Sequence, residues 1–276
     1  MIIVTPERKK PQSGAHWYTI SGLPAHTQPG GKNTTLRHAR EQNLMPSVTS
    51  IIGQLDKPQL SKWKEDKFIT ASFDNPPFEG ESVQDYKGRI HQIIKDEQTG
   101  ILDFGTKVHK AIEDVNNGTF DESKDPELFP FVEPFIRWSM SRIRKAKKAE
   151  MIVVNPKYGY GGTVDLLCVL RNEARPVTII DFKTQNVKKG KVNFYESWVY
   201  QLAAYSKCFK TVPQGMSLVI NSNEPSPCVE KIWSTKEIQA GWRIFQRLCR
   251  VWQDVRGYRP LPVEADGTVL RTQYET

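Results

Sequence analysis

The chain reads as a mixed α/β protein whose central sheet follows a helical amino-terminal part. Three observations predict this. Short apolar runs of strand length, rich in Val and Ile, cluster after Glu150; longer segments with helical spacing flank them; and two of the runs, Gly161-Gly162-Thr163-Val164-Asp165-Leu166-Leu167 and Val177-Thr178-Ile179-Ile180-Asp181-Phe182-Lys183-Thr184, hold a charge inside an otherwise apolar stretch. Strand side chains alternate between faces, so Asp181 and Lys183 share one side while Ile180 and Phe182 face the other, toward a core.

Up to about Leu44 the chain is rich in Pro, Gly, Thr and Lys around His16-Trp17-Tyr18-Thr19-Ile20, which predicts a small hairpin with loose loops, an appendage. Pro46 to Ile52 opens a helix, and a second begins near Pro58 with Leu60, Trp63 and Phe68. Asn75-Pro76-Pro77 breaks the pattern. Val83 to Val115 reads as helical with an interruption at Thr99-Gly100, and Pro130 to Lys148 as a helix ending in a basic cluster, with strands only after Glu150. Strands are expected from Met151 to Val154, Thr163 to Leu170, Thr178 to Phe182, Met216 to Asn221 and Val229 to Trp233, with helices from Phe194 to Phe209 and Lys236 to Val255. The segment after Gly257 is a polar, Pro-containing tail expected to be loosely held.

A chain of 276 residues suits one elaborated domain, or a domain with an appendage. Its net charge of +8 favours a polyanionic partner. No run reaches the length of a membrane span, and the start is charged too soon for a signal peptide, so a cytosolic protein without membrane partners is expected. Cys168, Cys208, Cys228 and Cys249 are dispersed and lack the close spacing of zinc or iron–sulfur ligands, which favours simple packing.

If the strand of Asp165 pairs with that of Asp181, two carboxylates converge beside the Lys183 ammonium, a grouping suited to a divalent cation and a phosphodiester. Gly105, His109 and Glu113 recur every four residues on one helical face. His109 can ligate a metal or be an ordinary surface histidine, and Glu113 can equally be an exposed helix residue. Gln201 and Tyr205, one turn apart, can reach one ligand or belong to a packing helix. Arg142 to Lys148 and Lys183 to Lys191 are candidate phosphate-contact segments or solvated faces, and Trp17, Trp63 and Trp198 can stack bases or fill the core.

In order, Gly105-x-x-x-His109, Gly162-Thr163-x-Asp165, Asp181-Phe182-Lys183 and Gln201-x-x-x-Tyr205 resemble the PD-(D/E)XK nuclease superfamily, in its RecB-type exonuclease branch; Met45 to Trp63 is similar to the helical lead-in of related phage and bacterial exonucleases and of the mitochondrial genome maintenance exonuclease. The resemblance implies a restriction-endonuclease-like core over residues 101–258, a hairpin and helical extension over 1–100 that covers a DNA strand, and a polar tail over 259–276. It implies that His109, Asp165, Asp181 and the Phe182 carbonyl hold one or two Mg²⁺ or Mn²⁺ ions, that Asp165, Asp181 and Lys183 are catalytic, and that Gln201, Tyr205, Thr163 and Thr184 contact substrate; Lys188 and Lys189, from the basic run after Asp181, are candidate contacts to its backbone. No iron–sulfur cluster is implied, because the cysteine set of the cluster-bearing members is missing. The implied activity is metal-dependent exonuclease cleavage of DNA at single-stranded ends or flaps, in the cytoplasm of a bacterium or phage-infected cell, alongside recombination or repair proteins. A structure-dependent endonuclease, a non-cleaving DNA-binding module and a small-molecule phosphohydrolase are the alternatives.

Overall fold

The computed structural model describes residues 16–56, 58–187 and 190–261. Its elements are β1 (Trp17–Tyr18), α1 (Leu36–Gln42), β2 (Met45–Pro46), α2 (Val48–Ile52), α3 (Pro58–Asp74), α4 (Val83–Asn117), α5 (Phe129–Arg142), β3 (Ile143–Asn155), β4 (Tyr160–Leu170), β5 (Val177–Gln185), α6 (Glu196–Ser206), β6 (Gln214–Asn221), β7 (Val229–Trp233) and α7 (Thr235–Arg256). The main sheet has the order β3-β4-β5-β6-β7. Neighbours run antiparallel except β5 and β6, which are parallel and therefore need a crossover, supplied by α6. Helices cover both faces, so the strands are apolar on both sides.

One face packs Leu166, Cys168, Ile180, Phe182 and Leu218 against α4 and α5. The other packs Val164, Ile179 and Trp233 against α2, α6 and α7. The closing helix α7 is specified locally: Ser234 and Glu237 form a reciprocal capping box, Ile238, Phe245, Cys249 and Trp252 bury one stripe, and Gly257 ends it at φ 53°. Burial pushes the thiols of all four cysteines up to about 12, consistent with packing roles.

Four expectations are corrected. Helix α4 runs through Thr99-Gly100 without interruption over 35 residues; one glycine in a helix costs about 1 kcal/mol, too little to break one anchored at both ends. The basic run from Arg144 to Lys148 is strand, not helix, and the strands of the main sheet begin at Ile143. It forms the outer edge of the sheet, where lysines face solvent and deter edge-to-edge pairing, so no apolar alternation betrays it. From His16 onward the amino-terminal segment is not a loose appendage, residues 1–15 lying outside the described ones: β1 pairs with β2, and Trp17, Leu44, Val48 and Ile51 share a core with Leu202, Phe245 and Trp252. The tail is held as far as Leu261, with the Tyr258 hydroxyl 2.9 and 2.8 Å from the carbonyls of Ala39 and Leu44 and Pro260 against Gly159. Among the described residues no helix is long and apolar enough to cross a membrane.

Candidate active site

Strands β4 and β5 pair only from Leu166 opposite Ile180 to Val169 opposite Val177. Beyond that point β4 stays with β3 as far as Tyr160, and β5 stays with β6 as far as Gln185. The two strands therefore fork. In the fork the Asp165 carboxylate takes over the ladder's work: its Oδ2 accepts the Phe182 backbone N–H at 2.7 Å.

Asp181, the next residue along β5 before Phe182, lies under α6 and is only 2% exposed. Its Oδ1 accepts from Gln201 Nε2 at 2.9 Å. Lys183 Nζ lies 2.6 Å from Oδ2 and forms an ion pair with it. Gln201 organises the group, accepting from Lys183 Nζ at 3.1 Å through Oε1 and donating from Nε2 to the Tyr205 hydroxyl at 3.0 Å. Those contacts assign its amide orientation. On a helix whose residues from Leu202 to Ser206 are all buried, a glutamine has this polar group as its reason to be there. Burial pushes the Asp181 carboxyl up to about 6, against the pull of the Lys183 ammonium; the nearby Asp165 charge adds to the rise.

Two glycines permit the close packing. A Cβ on Gly162 would lie 2.5 Å from the Tyr205 ring, and one on Gly105 would lie 2.9 Å from Thr184 Oγ1, so α6 and α4 approach the sheet where side-chain bulk is missing. Thr163 bonds the Tyr18 hydroxyl at 3.1 Å. Tyr18 is a site neighbour that the sequence reading missed, since no local spacing links it to a residue 145 positions away.

His109 lies edge-on to the Phe182 ring, centroids 6.2 Å apart, and its charge is felt at Asp181. Among the described residues no group of three or more His, Cys, Asp or Glu side chains that could hold a metal ion is found. Glu113 instead pairs with Lys110 at 3.4 Å on the surface. Lys188 and Lys189 lie outside the described residues, but their flanks are pinned: Asn221 bonds the backbone of Val187 through both ends of its amide, and Gln185 does the same for Asn193.

No protein-family model matches the chain, and no curated protein matches it. Among solved structures, a candidate exonuclease from Eubacterium rectale is 14% identical, with 56% of this chain covering 68% of that one at a TM-score of 0.39. The protein SSO0001 is 17% identical, with coverage of 46% and 56% and a TM-score of 0.26.

Proposed function

We propose that the fork between β4 and β5 is the active site of a metal-dependent DNA nuclease of the PD-(D/E)XK type, acting as an exonuclease on single-stranded ends or flaps. The observation that carries this reading is the Asp181 carboxylate: 2% exposed, beside the second carboxylate of Asp165, and 2.6 Å from the Lys183 ammonium. A buried acid is costly without a compensating partner, and hard oxygen donors fit Mg²⁺ or Mn²⁺. Asp165, Asp181 and the Phe182 carbonyl would hold such an ion, with His109 as a further candidate. The ion would neutralise charge on the phosphate and acidify a bound water.

The chain's own residues do the rest. Lys183, held between Asp181 and Gln201, keeps a fixed positive charge where negative charge develops during phosphodiester hydrolysis. Gln201 sets its position and orients Asp181, and Tyr205 anchors Gln201 from below. Thr163 and Thr184 flank the group as candidate phosphate contacts, and Lys188 and Lys189, which follow β5 in the sequence, are candidate backbone contacts. The net charge of +8 supports a polyanionic substrate.

The deciding experiment is a time course with labelled single-stranded, duplex and closed circular DNA in Mg²⁺, Mn²⁺ or EDTA, comparing wild type with Asp181→Ala. Metal-dependent loss of linear single strands, with circles spared and the variant inactive, is expected. Cleavage of circles would replace the exonuclease by an endonuclease, and binding without cleavage in any metal would leave a DNA-binding module.

A further inference from the structure

An aromatic group stands beside this site and has no part in the chemistry above. Trp198 lies three residues before Gln201 on α6, so it shares the helical face that meets Lys183. Lys183 Nζ is 5.9 Å from the centre of its ring. Tyr195 and Phe194 meet Trp198 edge to face, with centroids 5.2 and 6.0 Å away, and Phe194 in turn meets Trp233 at 6.5 Å. Trp17, Trp233 and Trp252 are at most 5% exposed, whereas Trp198 is only half-buried and Tyr195 is 36% exposed. The loop carrying this cluster is fixed to the end of β5 by the paired Gln185 and Asn193 bonds. Lys231 adds a second cation, 5.8 Å from the Phe194 ring.

We infer that Trp198, buttressed by Phe194 and Tyr195, is a stacking platform for an unpaired nucleobase of the strand whose phosphate lies at Lys183. The inference deepens the nuclease reading and rests on it for the position of the phosphate. Inside a duplex both faces of a base are covered by its neighbours, so away from a duplex end only an unpaired base can lend a face to a protein ring. A platform next to the cation that would meet the phosphate therefore selects single strands without reading sequence. Aromatic stacking is also sequence-tolerant, as general degradation of ends requires.

The test is binding of a short single-stranded oligodeoxynucleotide carrying 2-aminopurine, in EDTA so that no cleavage intervenes, to wild type, Trp198→Ala, Trp198→Leu and Trp198→Phe. Quenching of the 2-aminopurine by wild type is expected, with affinity about tenfold or more weaker for the alanine and leucine variants, near-wild-type affinity for phenylalanine, and unchanged affinity for blunt duplex. The leucine variant retains apolar bulk without a π face, so its failure to bind separates stacking from packing. Equal single-strand affinity and quenching in Trp198→Leu would overturn the inference. Loss of affinity for single strand and duplex alike would overturn it too. If wild type proves unable to cleave DNA in any metal but shows this Trp198-dependent binding, the platform stands and the nuclease reading falls.

Discussion

The two halves of the β4–β5 pair use one backbone geometry to opposite ends. From Leu166 to Val169 the strands are zipped, and Leu166, Cys168, Ile179 and Ile180 are fully buried apolar contacts. Past Leu166 and Ile180 the same strands part, and the backbone group that loses its ladder partner, the Phe182 N–H, is met by the Asp165 carboxylate. Forking releases space and backbone polarity together, and the zipped half makes that tolerable by anchoring both strands against two cores. Stability and chemistry thus sit within a few residues of each other, and substitutions should separate them.

The largest effect is expected at the open end. Lys183→Ala should lower single-turnover DNA cleavage about 10³-fold or more, with the melting temperature little changed; near-normal turnover would sink the proposed site. At the zipped end, Ile180→Ala should cost about 2–5 kcal/mol in urea denaturation through the cavity it leaves, while cleavage per folded molecule stays close to wild type. A drop in turnover larger than the drop in folded fraction would show that the two halves are not separable.

Asp181 gives the comparison a pH axis. Its folded carboxyl titrates at about 6 against an ordinary 3.8, so between those values the folded state holds more protons than the unfolded one. The contribution of Asp181 to stability is therefore full below about pH 4 and lost as pH rises through 6, by about 3 kcal/mol in the absence of metal. Denaturation in EDTA across this range should show wild type weakening relative to Asp181→Asn; parallel pH profiles would remove the premise of a strained, charged carboxylate. The glycines provide the smaller tests. Gly162→Ala should destabilise by about 1–3 kcal/mol, because its methyl meets a rigid tyrosine ring, whereas Gly105→Ala meets only a threonine hydroxyl and should cost less, both measured by chemical denaturation.

How much of this was legible follows from where each signal lives. Asp165, Asp181 and Lys183 stood out because charges interrupt apolar runs, and β7 was read with its observed ends because alternation and turns bound it. The first part of edge strand β3, up to Lys148, was read as helix because solvent on its exposed positions erases the apolar period, whereas Met151 to Val154 was read as strand. The fork, the Tyr18–Thr163 bond and the pinning of the loop by Gln185 and Asn221 depend on partners far away in the chain, and no local pattern encodes them.

The ring cluster of Trp17, Trp252 and Tyr258, with centroids 6.0 to 6.4 Å apart, has a consequence for biosynthesis. A growing chain emerges from its amino end, so Trp17 leaves the ribosome long before the helix that receives it has been translated. Tyr18, adjacent to Trp17, is bonded to Thr163. A nascent polypeptide carrying both acids and the lysine would still lack the α7 surface on which Trp17 packs.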